Sequence, residues 1–149
     1  MSGNYSVVGV IISNNVIENA GGTLNPYRAA IVLASTDVTE DNIGLKSFIV
    51  KDNIVRNSLG YHIITNRLLS SFISTNKFIN AAYTVSSMNS DMRFYNSLDN
   101  IINGNEFVDT RTTPIVQTAL ILDEGTLRVT FKDNLVINHG NSTVLTYDN

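Results

Sequence analysis

The chain has 149 residues, enough for one domain with a real core. Its 43% hydrophobic and 15% charged residues include no apolar run long enough to span a membrane. A net charge of −3 gives no electrostatic footprint for nucleic acid, and the absence of cysteine excludes disulfides and thiolate metal sites. Residues 1–149 are therefore expected to form a single domain with no cofactor, no metal, no nucleic-acid partner and no membrane insertion.

In chain order, Met1-Ser2-Gly3-Asn4 lacks the basic and then apolar run of a signal peptide. Strand-like sequence starts almost at once, over residues 7–12. Residues 12–19 introduce a rule: apolar, two polar residues, Asn, any residue, apolar, any residue, then Asn or Asp. The rule recurs at 50–57, 73–80, 102–109 and 131–138. Its central asparagines are Asn15, Asn53, Asn76, Asn105 and Asn134, spaced by 38, 23, 29 and 29 residues. Such spacing belongs to repeat architectures whose loops differ in length.

The insertion at 20–44 holds Gly21-Gly22, Asn25-Pro26 and the acidic residues Asp37, Glu40 and Asp41. Within it, residues 29–33 form the second strand of the first unit. Equivalent strands are expected at 61–65, 83–87, 114–122 and 142–147. Ile31, Ile63, Val85, Val116 and Val144 would face inward. Two outward columns would follow: Ala30, His62, Thr84, Ile115 and Thr143 in one, Val32, Ile64, Ser86, Gln117 and Leu145 in the other. Met88, Met92, Phe94 and Tyr95 fall in an irregular stretch that would plug a loop. The chain stops within about ten residues of its last octet, and neither end looks like the polar cap a repeat array needs. It is expected to be a piece of a longer protein or to have its ends covered by other chains.

Strand residues alternate faces, so the two apolar residues of an octet, five apart, share a face only if the Asn between them turns the chain. Asn tolerates left-handed backbone angles, and its amide can pair with an identical amide one strand spacing away. A structural asparagine ladder of Asn15, Asn53, Asn76, Asn105 and Asn134 follows. It implies an all-β fold, a parallel β-helix of about five coils.

These octets resemble the repeats of right-handed parallel β-helix proteins of the pectate-lyase-like superfamily, from about Val8 to Tyr147. That group includes polysaccharide lyases, polygalacturonases and the tailspikes of bacteriophages. The Cys-free, Asn-rich and Ser/Thr-rich composition is most similar to a tailspike or tail-fibre segment. The resemblance implies a homotrimer that binds host-surface polysaccharide, placed on a virion tail or otherwise extracellular. The fold hosts several chemistries, so activity does not follow from it.

The superfamily's catalytic signatures are missing: Asn138-His139-Gly140 offers only part of a Gly-His-Gly, and Leu127-Arg128-Val129 does not supply an Arg-Ile-Lys. Asp109, Asp123 and Glu124 are the candidate catalytic carboxylates, since they belong to one coil. Rings offer flat apolar faces to sugars, so Tyr61 and Tyr83 are candidate ligand-binding residues, with His62, Thr84, Ser86, Arg111 and Gln117 beside them. Three readings result: a polysaccharide-binding tailspike segment, a polysaccharide lyase or glycoside hydrolase, and a structural spacer without ligand.

Overall fold

The computed structural model describes residues 7–21, 28–35, 44–81, 90–140 and 143–146. These residues are all-β, with no helix among them. The first tier of the stack contains β1 (Ile11–Ser13), β2 (Val16–Glu18) and β3 (Ala29–Ala34). The second contains β4 (Leu45–Lys46), β5 (Ile49–Lys51), β6 (Ile54–Arg56) and β7 (Tyr61–Asn66). The third contains β8 (Leu68–Leu69), β9 (Phe72–Ser74), β10 (Lys77–Ile79) and β11 (Ser90–Tyr95). Above it lie β12 (Ile101–Asn103), β13 (Glu106–Val108) and β14 (Thr118–Leu122), then β15 (Thr130–Lys132), β16 (Leu135–Ile137) and β17 (Val144–Thr146).

Each tier gives one strand to each of three parallel five-stranded sheets, ordered β1-β5-β9-β12-β15, β2-β6-β10-β13-β16 and β3-β7-β11-β14-β17. This is an arrangement compatible with a β-solenoid. The octets set the register of the first two sheets. Ile12, Val50, Ile73, Ile102 and Phe131 form one row of the first sheet. Ile17, Val55, Phe78, Phe107 and Val136 form one row of the second. Both rows point into a single core, where Val50, Val55, Phe78, Ile102 and Phe107 are wholly buried. Ring stacking continues through it, at 5.1 Å from Phe78 to Phe107 and 5.8 Å from Phe107 to Phe131.

The five central asparagines lie at the corner between these two sheets, and each of the first four donates twice to the next. The backbone N–H and side-chain Nδ2 of Asn53 both reach Asn76 Oδ1, at 3.0 and 2.9 Å, and Asn76 does the same to Asn105 at 3.0 Å twice. Asn15 donates likewise to Asn53, and Asn105 to Asn134. The remaining Nδ2 hydrogen turns back to the preceding tier, as from Asn76 to Val50 O at 2.9 Å. The chain turns one residue earlier than the octet reading places it. The left-handed residues are Asn14, Asp52, Thr75, Gly104 and Asp133, and the asparagine that follows is freed to bond along the stack. Thr75 is the outlier of that row, because a β-branched residue at φ 53° is strained. Its hydroxyl donates to Asp52 Oδ1 at 2.6 Å.

Asn53, Asn76 and Asn105 are buried, whereas Asn15 is exposed and Asn134 half-buried. Replacing Asn76 by Ala leaves the buried Asn53 N–H below without its acceptor and takes one of two donors from Asn105 Oδ1 above, so it should cost about 1–3 kcal/mol. Asn15→Ala should cost under about 1 kcal/mol, since water replaces the lost partner. Urea unfolding of both variants checks the gradient, and equal losses would reject a cooperative ladder.

The third sheet departs from the sequence reading in two ways. Its third and fourth strands are β11 and β14, so the inward row is Ile31, Ile63, Met92, Leu120 and Val144 rather than one through Val85 and Val116. The stretch around Met92, Phe94 and Tyr95, expected to plug a loop, is a strand. Tyr83, Thr84, Val85 and Ser86 lie outside the described residues, as do Tyr27 and the acidic cluster of Asp37, Glu40 and Asp41. Secondly, two successive residues turn inward at the start of the first four strands. Ala30, His62, Asp91 and Ala119 precede the inward row and also meet the core, and the strand pairing skips them. The residue count stays matched across each pair, so this is a bulge shared by neighbouring strands and repeated tier upon tier, with no extra residue on one of them.

Candidate functional site

Because of that bulge, the outer face of the third sheet carries Val32, Ile64, Arg93 and Ile121 in one row, whose backbone register runs on to Leu145, flanked by Ala29 and Tyr61 on one side and Asn66 and Tyr95 on the other. Arg93 is its centre. Its guanidinium donates to both carboxylate oxygens of Asp123, with Nη2 to Oδ1 at 3.3 Å, and Nη1 donates to the Tyr61 hydroxyl at 2.9 Å. The same group lies 4.9 Å from the centre of the Tyr95 ring, within cation–π range. Burial opposes the charge on Arg93, but the bonds to Asp123 and Tyr61 and the nearby phenols outweigh it and raise the pKa. Tyr61 is buried under this cation, while Tyr95 and Arg93 remain half-exposed. Beside them, Asn96 Nδ2 donates to Asn66 Oδ1 at 3.4 Å. The result is an aromatic ring, a fixed cation, a carboxylate and two amides along one sheet edge.

At the opposite end of β14, Asp109 is buried with a full set of donors. Its carboxylate accepts from Arg111 Nε and Nη2, each at 2.7 Å, and from the backbone N–H groups of Arg111, Ile115 and Val116 at 2.9–3.1 Å. Burial pushes its pKa up, yet the Arg111 bonds and the three amides together hold it below the usual carboxylate value. A carboxylate kept ionised in this way is the wrong form for a general acid. Five residues of extended strand, roughly 16 Å, separate it from Asp123. That exceeds the roughly 5–9.5 Å that pairs glycosidase carboxylates. Glu124 is an exposed turn residue whose carbonyl accepts the Asn96 N–H.

His62 was expected on the outer face and is instead wholly buried, stacked on Phe78 at 5.3 Å between ring centres. Ile64, also expected to be exposed there, is 1% exposed. Arg111 is spent on Asp109, and Gln117, half-buried ahead of β14, donates to the Ile115 carbonyl at 3.3 Å. Of the sequence candidates, the outer face therefore brings together Tyr61 and Asp123. The residues missed are Arg93, Tyr95, Asn66 and Asn96. Their signal was available: Arg93 and Tyr95 alternate with the apolar Met92 and Phe94, as outward strand residues should.

Among the described residues, no group of three or more His, Asp or Glu side chains is arranged to hold a metal ion. These features define an all-β protein of stacked parallel sheets with one polar-aromatic outer edge. No protein-family model, curated protein or solved structure matches the chain.

Proposed function

We propose that this chain is a segment of a right-handed parallel β-helix of about five coils, resembling phage tailspikes of the pectate-lyase-like group, that binds host-surface polysaccharide. The observation that carries the reading is the outer edge of the third sheet, where the half-exposed ring of Tyr95 lies against Arg93, itself bonded to Asp123, and beside the amides of Asn66 and Asn96. A flat ring beside a carboxylate and two amides is what a pyranose needs: an apolar face to stack and partners for its hydroxyls. Tyr61 supports this edge from beneath.

A glycan array probed with the full chain, followed by calorimetry on its best binder, tests this. Tyr95→Ala should weaken binding at least about tenfold, equivalent to about 1.4 kcal/mol, with an unchanged circular dichroism spectrum. A wild-type chain that binds no glycan on the array favours the spacer reading. Cleavage of a bound glycan with release of reducing or unsaturated ends favours the enzyme.

The homotrimer belongs to the same proposal and needs an apolar contact. Buried Ile64 cannot form it, and the side chain of Leu145 is not among those described. Large exposed apolar residues stand instead on the outer side of the first sheet and the short ladder beside it, at Ile11, Phe72 and Leu127. Sedimentation of the wild type and of Phe72→Lys tests this face, and a wild-type monomer at micromolar concentration ends the trimer.

A further inference from the structure

The buried inward residues of the third-sheet bulge form a charged cluster that carbohydrate binding does not use. Asp91 sits between two histidines from different tiers. His62 Nδ1 lies 2.9 Å from Asp91 Oδ1, and His139 Nε2 lies 2.5 Å from Asp91 Oδ2. The far nitrogen of each ring meets a backbone carbonyl, with His62 Nε2 3.1 Å from Ile79 O and His139 Nδ1 3.0 Å from Ile137 O. His62 and Asp91 are wholly buried, and the His139 side chain is 3% exposed. His139 belongs to the turn after β16, yet its partner is on β11, two tiers away. The fourth-tier residue at the level of Asp91 in the bulge column is Ala119, which has no side-chain atom beyond Cβ.

Proton counting decides what this arrangement can do. A carbonyl oxygen only accepts, so each ring must donate from its far nitrogen. Each near nitrogen then faces a carboxylate oxygen, and every contact is a hydrogen bond only when four protons are present. Both rings are then imidazolium against an ionised Asp91, or one ring is neutral with the proton on the carboxyl. Remove one proton and a lone pair faces an acceptor in a dry site, at the cost of a lost and repelled contact. We propose that His62, Asp91 and His139 form a proton-operated clasp that fastens the corner of the last tier across the fourth tier to the third sheet.

Among the described residues, the other charged groups facing His139 are Asp109, whose own charge is matched by Arg111 in the turn after β13, and His62 beyond Asp91. Burial lowers the pKa of His139, but the Asp91 bond and charge, the Ile137 carbonyl and Asp109 outweigh it and raise the pKa above the ordinary 6.5. A raised histidine stabilises the fold fully below 6.5, and that contribution disappears as pH rises through the folded value. The clasp is thus shut in acid and opens on the alkaline side of 6.5. Its opening frees Gly140, whose N–H donates to Val116 O at 3.0 Å, and the Asn138 amide bonded to the Asp109 and Arg111 carbonyls.

The test follows the full chain by NMR from pH 5 to 9, reading the His139 ring titration and hydrogen exchange at the Gly140 amide. The Lys77 amide, bonded to Asn53 O within the core, serves as the reference. The His139 midpoint should lie above 6.5. Gly140 protection relative to Lys77 should then fall by up to about tenfold per pH unit beyond that midpoint. In His139→Gln the relative protection should be flat across the range. A wild-type ratio that does not change with pH overturns the clasp, as does a midpoint at or below 6.5 or a His139→Gln profile that matches the wild type. If that variant does not fold, the two wild-type readouts still decide.

Discussion

Phe107→Ala is expected to cost about 3–5 kcal/mol of folding stability through lost burial and a residual cavity. Phe107 is wholly buried in the middle tiers, with Phe78 at 5.1 Å on one side and Phe131 at 5.8 Å on the other. The neighbouring tiers are held in register by their backbone bonds and cannot close over the gap. Glu106→Ala is the control one residue earlier, on the outer side. There the Glu106 carboxylate meets Lys77 Nζ at 2.9 Å, and a pair so close to water is worth about 0–1 kcal/mol. Urea unfolding of both variants gives the comparison, and similar losses would reverse the inner and outer faces of the second sheet.

Asp109→Ala should be comparably severe, at about 3–5 kcal/mol, because it leaves the Arg111 guanidinium without its counter-charge and two backbone amides before β14 without their acceptor. Asp109→Asn keeps the shape and should lose less. The pH dependence has the opposite sign to that of the histidine clasp. A carboxylate whose folded pKa is depressed stabilises fully above its ordinary 3.8, and the contribution is lost as pH falls below that towards the folded value. Thermal unfolding from pH 6 to pH 2 should therefore show a larger acid-induced drop in the wild type than in Asp109→Asn, and parallel curves would reject the role.

The octets were legible because each packs two short strands and a corner into eight residues without insertions. Their apolar positions had to share a register, and the row from Ile12 to Phe131 shows that they do. The third sheet was not legible, because the segment between octet and strand changes length in every tier. Tyr83 stands after its octet much as Tyr61 does, which drew the alignment to residues 83–87, while the paired strand begins at Ser90. The bulge then broke the alternation from which faces are read, so His62 was put outside. Asp91 had no local signal at all, since its partners His62 and His139 are 29 and 48 residues away. A sharper comparison was available: Asp91 precedes Met92 as His62 precedes Ile63, and both apolar residues lie in the inward row.

The cross-tier His139–Asp91 contact also has a mechanical meaning. The bonds that join one tier to the next run along the stack, as hydrogen bonds between neighbouring strands must. A pull from end to end therefore loads the tiers in series, and the weakest seam yields first. With the clasp shut, Asp91 and His139 form a strut parallel to the two seams around the fourth tier, so tension reaching the fifth tier is shared with the third. With it open, the same load falls on the last seam alone, and the end of the stack peels at lower force.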